Sequence, residues 1–132
     1  MGIFTTRNAN GGISKRILSL DGAINASVGA TAAQDLRDRN GTFYNVAPFA
    51  VPFDGVIFQS VLSNSTTNNY TIEVLVNNTV VTSFTRTNGT PSEIFDLGTP
   101  ISVAKNDQIR LRYAGGVGTT NRPAAQLYIR EI

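Results

Sequence analysis

Alternation of apolar and polar positions is the clearest pattern in this chain. In YTIEVLV, residues 70–76, Ile72, Val74 and Val76 alternate with Thr71, Glu73 and Leu75. That period of two sends successive side chains to opposite faces of a strand. Asn77-Asn78 follows, then TVVTSFTRT. Asn tolerates the positive φ of a two-residue hairpin turn, so residues 70–87 are predicted to form a hairpin with Val81 opposite Val74. Its second face carries Leu75, Val80 and Phe84, and a pair apolar on both faces suits a strand pair covered on both sides.

The flanking segments supply more strands. GVIFQSVL (55–62) is apolar at nearly every position, as for a buried or interface strand. QIRLRY (108–113) sets Ile109, Leu111 and Tyr113 against Gln108, Arg110 and Arg112, and the C-terminal segment sets Ala125, Leu127 and Ile129 against Gln126, Tyr128 and Arg130. Short strands are predicted at Thr42–Val46, Glu93–Leu97 and Ile101–Ala104, with a break at Gly98–Pro100. Pro48 and Pro52 confine Phe49–Val51 to an edge or a connection, because proline cannot donate to a ladder. Turns are expected at Asp21-Gly22, Asn40-Gly41, Asp54-Gly55 and Lys105–Asp107, and AGGVGTTNRP (114–123) is expected to be a loop. ISKRILSL (13–20) fits either a strand or a helical turn, and ATAAQDLRDRN allows one short helix around Ala32–Asp38. Seven or eight short strands with little helix predict an all-β, antiparallel β-sandwich. Residues 1–22 are expected to be an extended N-terminal arm and residues 23–132 the sandwich domain.

Composition narrows the chemistry. The 132 residues suit one domain, and with no Cys and no His they lack disulfides, thiolate and imidazole metal ligands, a cysteine nucleophile and the commonest general base. No cofactor is expected. Eleven Lys and Arg against nine Asp and Glu give only +2, too little to point to nucleic acid. No apolar run is long enough to span a bilayer, so no membrane partner is expected either. The candidate acids Asp54, Glu73, Glu93, Asp96 and Asp107 fall in turns or on polar strand positions, with no spacing that pairs them for glycosidase chemistry. Asp35 and Asp38, flanked by Arg37 and Arg39, are expected to form a self-compensating surface. AGGVGTTNRP has no Gly-Lys-Ser/Thr for a phosphate loop. Arg110, Arg112 and Arg130 are expected on outward positions of adjacent strands, without the interleaved aromatics of a nucleic-acid site.

A resemblance rests on PFDG before an apolar strand, the Asn-Asn hairpin, ISVAKNDQIRLRY and the final AAQLYIREI. From Ala50 onward the chain resembles the small jelly rolls of trimeric phage decoration and head-fibre proteins. It is more distantly similar to tumour-necrosis-factor-like jelly rolls, in which V-x-x-G-D-x-I precedes a penultimate strand. Here Val103–Ile109 matches with Asn106 in the glycine place. The resemblance implies a homotrimer and a non-enzymatic structural role, and it transfers no functional residue.

The expected function is a virion structural protein at the particle surface, decorating a capsid or forming part of a head or tail fibre. Its partners would be copies of itself and the capsid or tail proteins of the same particle. Ile3, Phe4, Arg7, Lys15 and Arg16 are the candidate attachment residues, and Phe43, Tyr44, Phe49 and Phe53 the candidate subunit interface. The alternative is a carbohydrate-binding module or receptor-binding tip taking a cell-surface glycan.

Overall fold

The computed structural model describes residues 2–4, 15–63, 68–87 and 92–132. It is all-β, and its strands in chain order are β1 Gly2–Phe4, β2 Ile17–Ala23, β3 Ser27–Val28, β4 Gln34–Asp35, β5 Phe49–Ala50 and β6 Gly55–Ser63. They continue with β7 Tyr70–Val76, β8 Thr79–Thr85, β9 Ser92–Val103, β10 Gln108–Gly116, β11 Thr120–Asn121 and β12 Ala124–Glu131. Most pairings nest inside one another: β2 with β12, β3 with β11, β4 and β5 with β10, β6 with β9, and β7 with β8. The chain is thus one long antiparallel ribbon doubled on itself. Two further pairings, β12 with β6 and β10 with β7, roll that ribbon into facing sheets. The first sheet runs β1-β2-β12-β6-β9; the second runs β4-β10-β7-β8, with β5 beside β4 along the same edge of β10. This is an antiparallel sandwich, as the alternation predicts, and its nested pairings are of the jelly-roll type that the resemblance implies.

The inward residues of both sheets make one core. Leu18, Leu20, Ile57, Leu62, Ala125, Leu127 and Ile129 from the first sheet join Ile72, Val74, Val76, Phe84, Ile109, Leu111 and Tyr113 from the second. At roughly 1.5–3 kcal/mol for each large side chain removed from water, this cluster is the main source of stability. The interior hydroxyls of Tyr70 and Tyr113 are paired: Tyr70 donates to the Ser63 carbonyl at 2.5 Å, and Tyr113 shares a bond of 3.0 Å with Thr120.

The central hairpin forms around Asn77 and Asn78, with φ of 51° and 66°. Its register differs by one residue from the expected one. Val74 faces Thr82 and Leu75 faces Val80, so Val81 is the extra residue of a bulge. That slip reverses the parity of everything beyond it. Phe84, expected on the outer face, lies opposite Ile72 in the core, and Arg86 follows it inward beside Tyr70.

Other expectations are corrected. There is no helix at Ala32–Asp38; Gln34–Asp35 is strand β4, held to β10 by the ladder and by the Asp35 carboxylate. Asp21-Gly22 is no turn but the interior of β2, where a Cβ on Gly22 would stand 2.9 Å from Leu36 Cβ; glycine is there for close packing. Thr42–Val46 is not a strand: Phe43 makes a single bridge to Arg37, and the chain then turns. The break expected at Gly98–Pro100 lies inside the continuous strand β9, where Leu97–Pro100 form an irregularity opposite Phe58. AGGVGTTNRP contains the end of β10 and all of β11.

Candidate functional site

The two outer faces of the sandwich differ in chemistry. On the second sheet, Arg110 of β10 grips Asp35 with Nε to Oδ2 at 2.9 Å and Nη2 to Oδ1 at 2.8 Å, and its Nη1 donates to Asn78 Oδ1. This hydrogen-bonded carboxylate holds the Arg110 pKa above its ordinary value. Alongside, Arg112 donates Nε and Nη2 to Glu73 Oε1 at 3.0 and 2.8 Å. Thr71 and Thr85 pair one register further on. Leu75 is buried beneath this polar layer although it points away from the core. Val80, opposite Leu75, is exposed here, but the polar face is otherwise satisfied by its own side chains.

The outer face of the first sheet is not. Outward positions of β12 are Gln126, Tyr128 and Arg130; their ladder neighbours on β6 are Val61, Gln59 and Val56. Across β6, Val61 meets Ile94 of β9. Phe58 belongs here because β6 is bulged between Ile57 and Gln59, which puts two consecutive residues outward. Its ring lies 6.4 Å from that of Tyr128, and the Arg130 guanidinium carbon stands 5.2 Å from its centroid. Ile94 is 63% exposed. The result is an aromatic and aliphatic patch with Arg130 on it, edged by Gln59 bonded to Asp96 and Tyr128 bonded to Gln126. Aromatic residues and Arg are the side chains enriched in protein–protein contacts.

Beside the patch lies a groove of about 330 Å³ lined by Asp21, Arg39, Val61, Ser63, Ser92 and Gln126, among others. Its charged end is the Asp21–Arg39 pair, with Nε to Oδ2 at 2.6 Å. No aromatic ring is among the described residues lining it.

The residues named from sequence land elsewhere. Tyr44 is 2% exposed and donates its hydroxyl to the Asp21 carbonyl, and burial pushes its pKa well above the ordinary phenol value. Phe53 is 4% exposed. Both are core residues and are corrected as interface candidates. Phe43 and Phe49 are half-buried, Phe43 under the Arg37 guanidinium at 4.1 Å and Phe49 against the core. The turn after the Phe43 bridge and the two prolines fold this aromatic segment back over the sandwich instead of presenting it outward.

The N-terminal boundary moves too. β2 begins at Ile17 with Leu18 and Leu20 in the core, so the domain starts inside the segment expected to be an arm; Ile3 and Phe4 lie on β1, opposite Leu18 and Ile17. Arg16 is engaged within the chain, 2.6 Å from Glu131 and over the Phe53 ring at 5.0 Å. Lys15 is exposed, and Arg7 lies outside the described residues.

Each acid named from the sequence has a partner within the chain. Asp35 is bound to Arg110, Glu73 to Arg112 and Asp96 to Gln59. Asp107 accepts the Ala104 N–H and the Asn77 amide, which lower its pKa, and Asp54 accepts the Lys105 N–H. Glu93 accepts the Thr87 N–H. Asp35 and Asp38, expected to be compensated locally, separate: Asp38 caps its own loop at Asn40 and Thr42, and Arg39 goes to Asp21. Arg130 sits in the first sheet, so it forms no stripe with Arg110 and Arg112 of the second. No family model matches this sequence, and no curated protein does so either.

Proposed function

We propose that this chain is a structural protein of a virion, a homotrimeric jelly roll that decorates a capsid or forms part of a head or tail fibre. In this reading three copies pack through the outer face of the first sheet around Phe58, Tyr128, Val61 and Ile94, and the N-terminal segment with Arg7 and Lys15 attaches the trimer to other proteins of the particle. The observation that carries the proposal is the contrast between the faces: ion pairs cover most of one, while the other presents exposed Ile94 beside the half-buried Val61, Phe58 and Tyr128. Contiguous exposed apolar surface of this kind marks association sites. The resemblance of the sequence from Ala50 onward to trimeric phage decoration proteins supports the virion context, and the jelly-roll topology agrees with it.

Sedimentation equilibrium tests the first step. The expected mass is three times the 14.1 kDa of the chain. Phe58→Asp or Ile94→Asp sets a charge in the contact and should cost about 2 kcal/mol or more per site, roughly a thirtyfold loss in affinity. A wild-type monomer at micromolar concentration would overturn the trimer. Deletion of residues 1–12 tests attachment: a folded trimer that no longer occupies assembled particles supports the arm, and unchanged occupancy rejects it.

Glycan binding in the groove beside Asp21, Arg39 and Gln126 is the second reading, favoured by the hydrogen-bonding groups of those three side chains in an otherwise mostly apolar lining. Sugar rings bound by aromatic stacking would need a platform there, and the nearest aromatic on this face, Tyr128, is one outward position beyond Gln126. A glycan array with micromolar hits lost in Gln126→Ala would favour it over the structural role.

A further inference from the structure

Among the described residues, Arg86 is the fully buried charged side chain that has no ionic partner. It is 0% exposed, its Nη1 donates to the Asn68 carbonyl at 2.9 Å, and its Nε and Nη2 have no hydrogen-bond acceptor. The bulge at Val81 is the cause, since it reverses the parity of β8 and carries Arg86 inward beside Tyr70. Its position is tight enough to register on that neighbour: burial raises the Tyr70 pKa, and the Arg86 charge opposes the rise.

A buried guanidinium with unsatisfied donors is costly, and native structures fill such donors with a protein acceptor, an ion or water. No carboxylate among the described residues bonds this guanidinium. Asn64–Thr67 and Asn88–Pro91, the segments nearest Asn68 and Arg86 in sequence, contain no acid, and Glu93 accepts the Thr87 N–H. The two open nitrogens are also not arbitrary. Nε and Nη2 form one edge of the guanidinium, a pair of parallel donors matched to two oxygens of one anion. Arg110 uses that same edge to hold the Asp35 carboxylate at 2.9 and 2.8 Å.

We propose that the Nε–Nη2 edge of Arg86 holds a small planar oxyanion, carboxylate-like in its two-oxygen geometry, as a structural ligand taken up on folding at this end of the sandwich. The ion neutralises Arg86 and joins β8 to the segment at Asn68. Chloride, a single point acceptor, does not match the fork.

The test titrates the full chain with formate or nitrate against chloride at constant ionic strength and reads the melting temperature. Formate should raise Tm in a saturating way, on the order of 10 °C at a hundredfold excess over Kd, and chloride should not. Arg86→Met should remove the response. No rise in the wild type, or an equal rise in Arg86→Met, overturns the site. If Arg86→Met fails to fold, the Nε–H resonance of Arg86 in the wild type carries the test. It should move with formate and saturate at the same concentration as Tm. A resonance that stays fixed, or a formate-soaked crystal in which a carbonyl or water of the protein fills the fork, overturns it.

Discussion

Replacing Asp35 by Ala probes how the second sheet holds its edge strand. β4 is only Gln34–Asp35, joined to β10 at Tyr113 and Arg112, so the carboxylate is a large part of its attachment. The Asp35 side chain is 5% exposed and that of Arg110 17%, and two charge-assisted bonds join them. Removing one partner of a buried pair costs about 3–5 kcal/mol, because the other charge is left without compensation. Arg110 retains Asn78 Oδ1 and some access to water, so the lower end, about 3 kcal/mol, is expected for Asp35→Ala. At an m of about 1.5 kcal/mol/M in urea, the midpoint should fall by about 2 M with m unchanged. Arg110→Ala strands the more deeply buried partner and should cost at least as much. The double variant should cost less than the sum by about 2 kcal/mol, the coupling of the pair. Arg39→Ala is the control: Arg39 pairs with Asp21 but its side chain is 63% exposed, and such pairs contribute roughly 0–1 kcal/mol. Protein concentration is matched throughout, since the proposed association would couple to stability. If Asp35→Ala costs no more than Arg39→Ala, the pair does not hold the edge and β4 is kept in place by its backbone ladder.

Three other changes have definite expected outcomes. Gly55→Ala places a Cβ 2.6 Å from the Arg130 carbonyl oxygen, a backbone atom that cannot swing aside, and should lower stability by about 1–3 kcal/mol in a urea melt. Asn78→Val should cost about 1–2 kcal/mol at φ 66°, whereas Asn78→Gly, which suits that φ and loses an exposed bond to Arg110, should stay within about 0.5 kcal/mol of wild type. Acid titration should show stability flat from neutral pH to about 5 and falling below about 4. Asp107 is depressed by the Ala104 N–H and the Asn77 amide, and Glu131 by Arg16. A lowered folded pKa means the stabilisation exists above the unfolded value and disappears as pH falls through the folded one. Asp107→Asn should flatten its share of that acid slope.

The sheet strands that alternate cleanly were legible because their two faces meet different surroundings. β7, β10 and β12 carry the apolar register into the core at Val74, Leu111 and Leu127 as the pattern requires. The Asn-Asp turn was legible for a local reason: Asn106 takes φ 74°, and Asp107 Oδ2 accepts the Ala104 N–H. The failures come from tertiary causes that composition does not encode. Gly22 looks like a turn residue but leaves room for Leu36, and ATAAQDLRDRN has helix formers but is drawn out by Leu36 N–H bonding to the Leu111 carbonyl and by Arg110. Bulges were the most consequential omission. An extra residue at Val81 or Phe58 has no signature in the alternation, yet each decides what faces inward or outward beyond it. The candidate patch was missed for that reason. Phe58 reads as part of a continuous apolar run, and its outward placement beside Tyr128 and Arg130 depends on the register of two neighbouring strands.

The two bulges also give the sandwich its asymmetry. In a regular jelly roll, period-two alternation would give both outer faces similar polar rows. The bulge in β8 withdraws Phe84 and Arg86 into the interior, leaving Thr85 and Ser83 beside Thr71, Glu73 and Arg112, with Val80 exposed opposite Leu75. The bulge in β6 works in the opposite sense, adding Phe58 to an outer row that already contains Val61, Tyr128 and Ile94. One irregularity makes a face whose charges pair among themselves, and the other adds an aromatic ring to an apolar outer row. Because Phe58 and Ile94 lie outside the core cluster, substitutions there would act on the proposed association with little effect on the single chain. Substitutions at Leu127 or Ile57 would disturb both together. Under the proposed trimer, fold and assembly would therefore be separable at the positions where a strand departs from regular pairing.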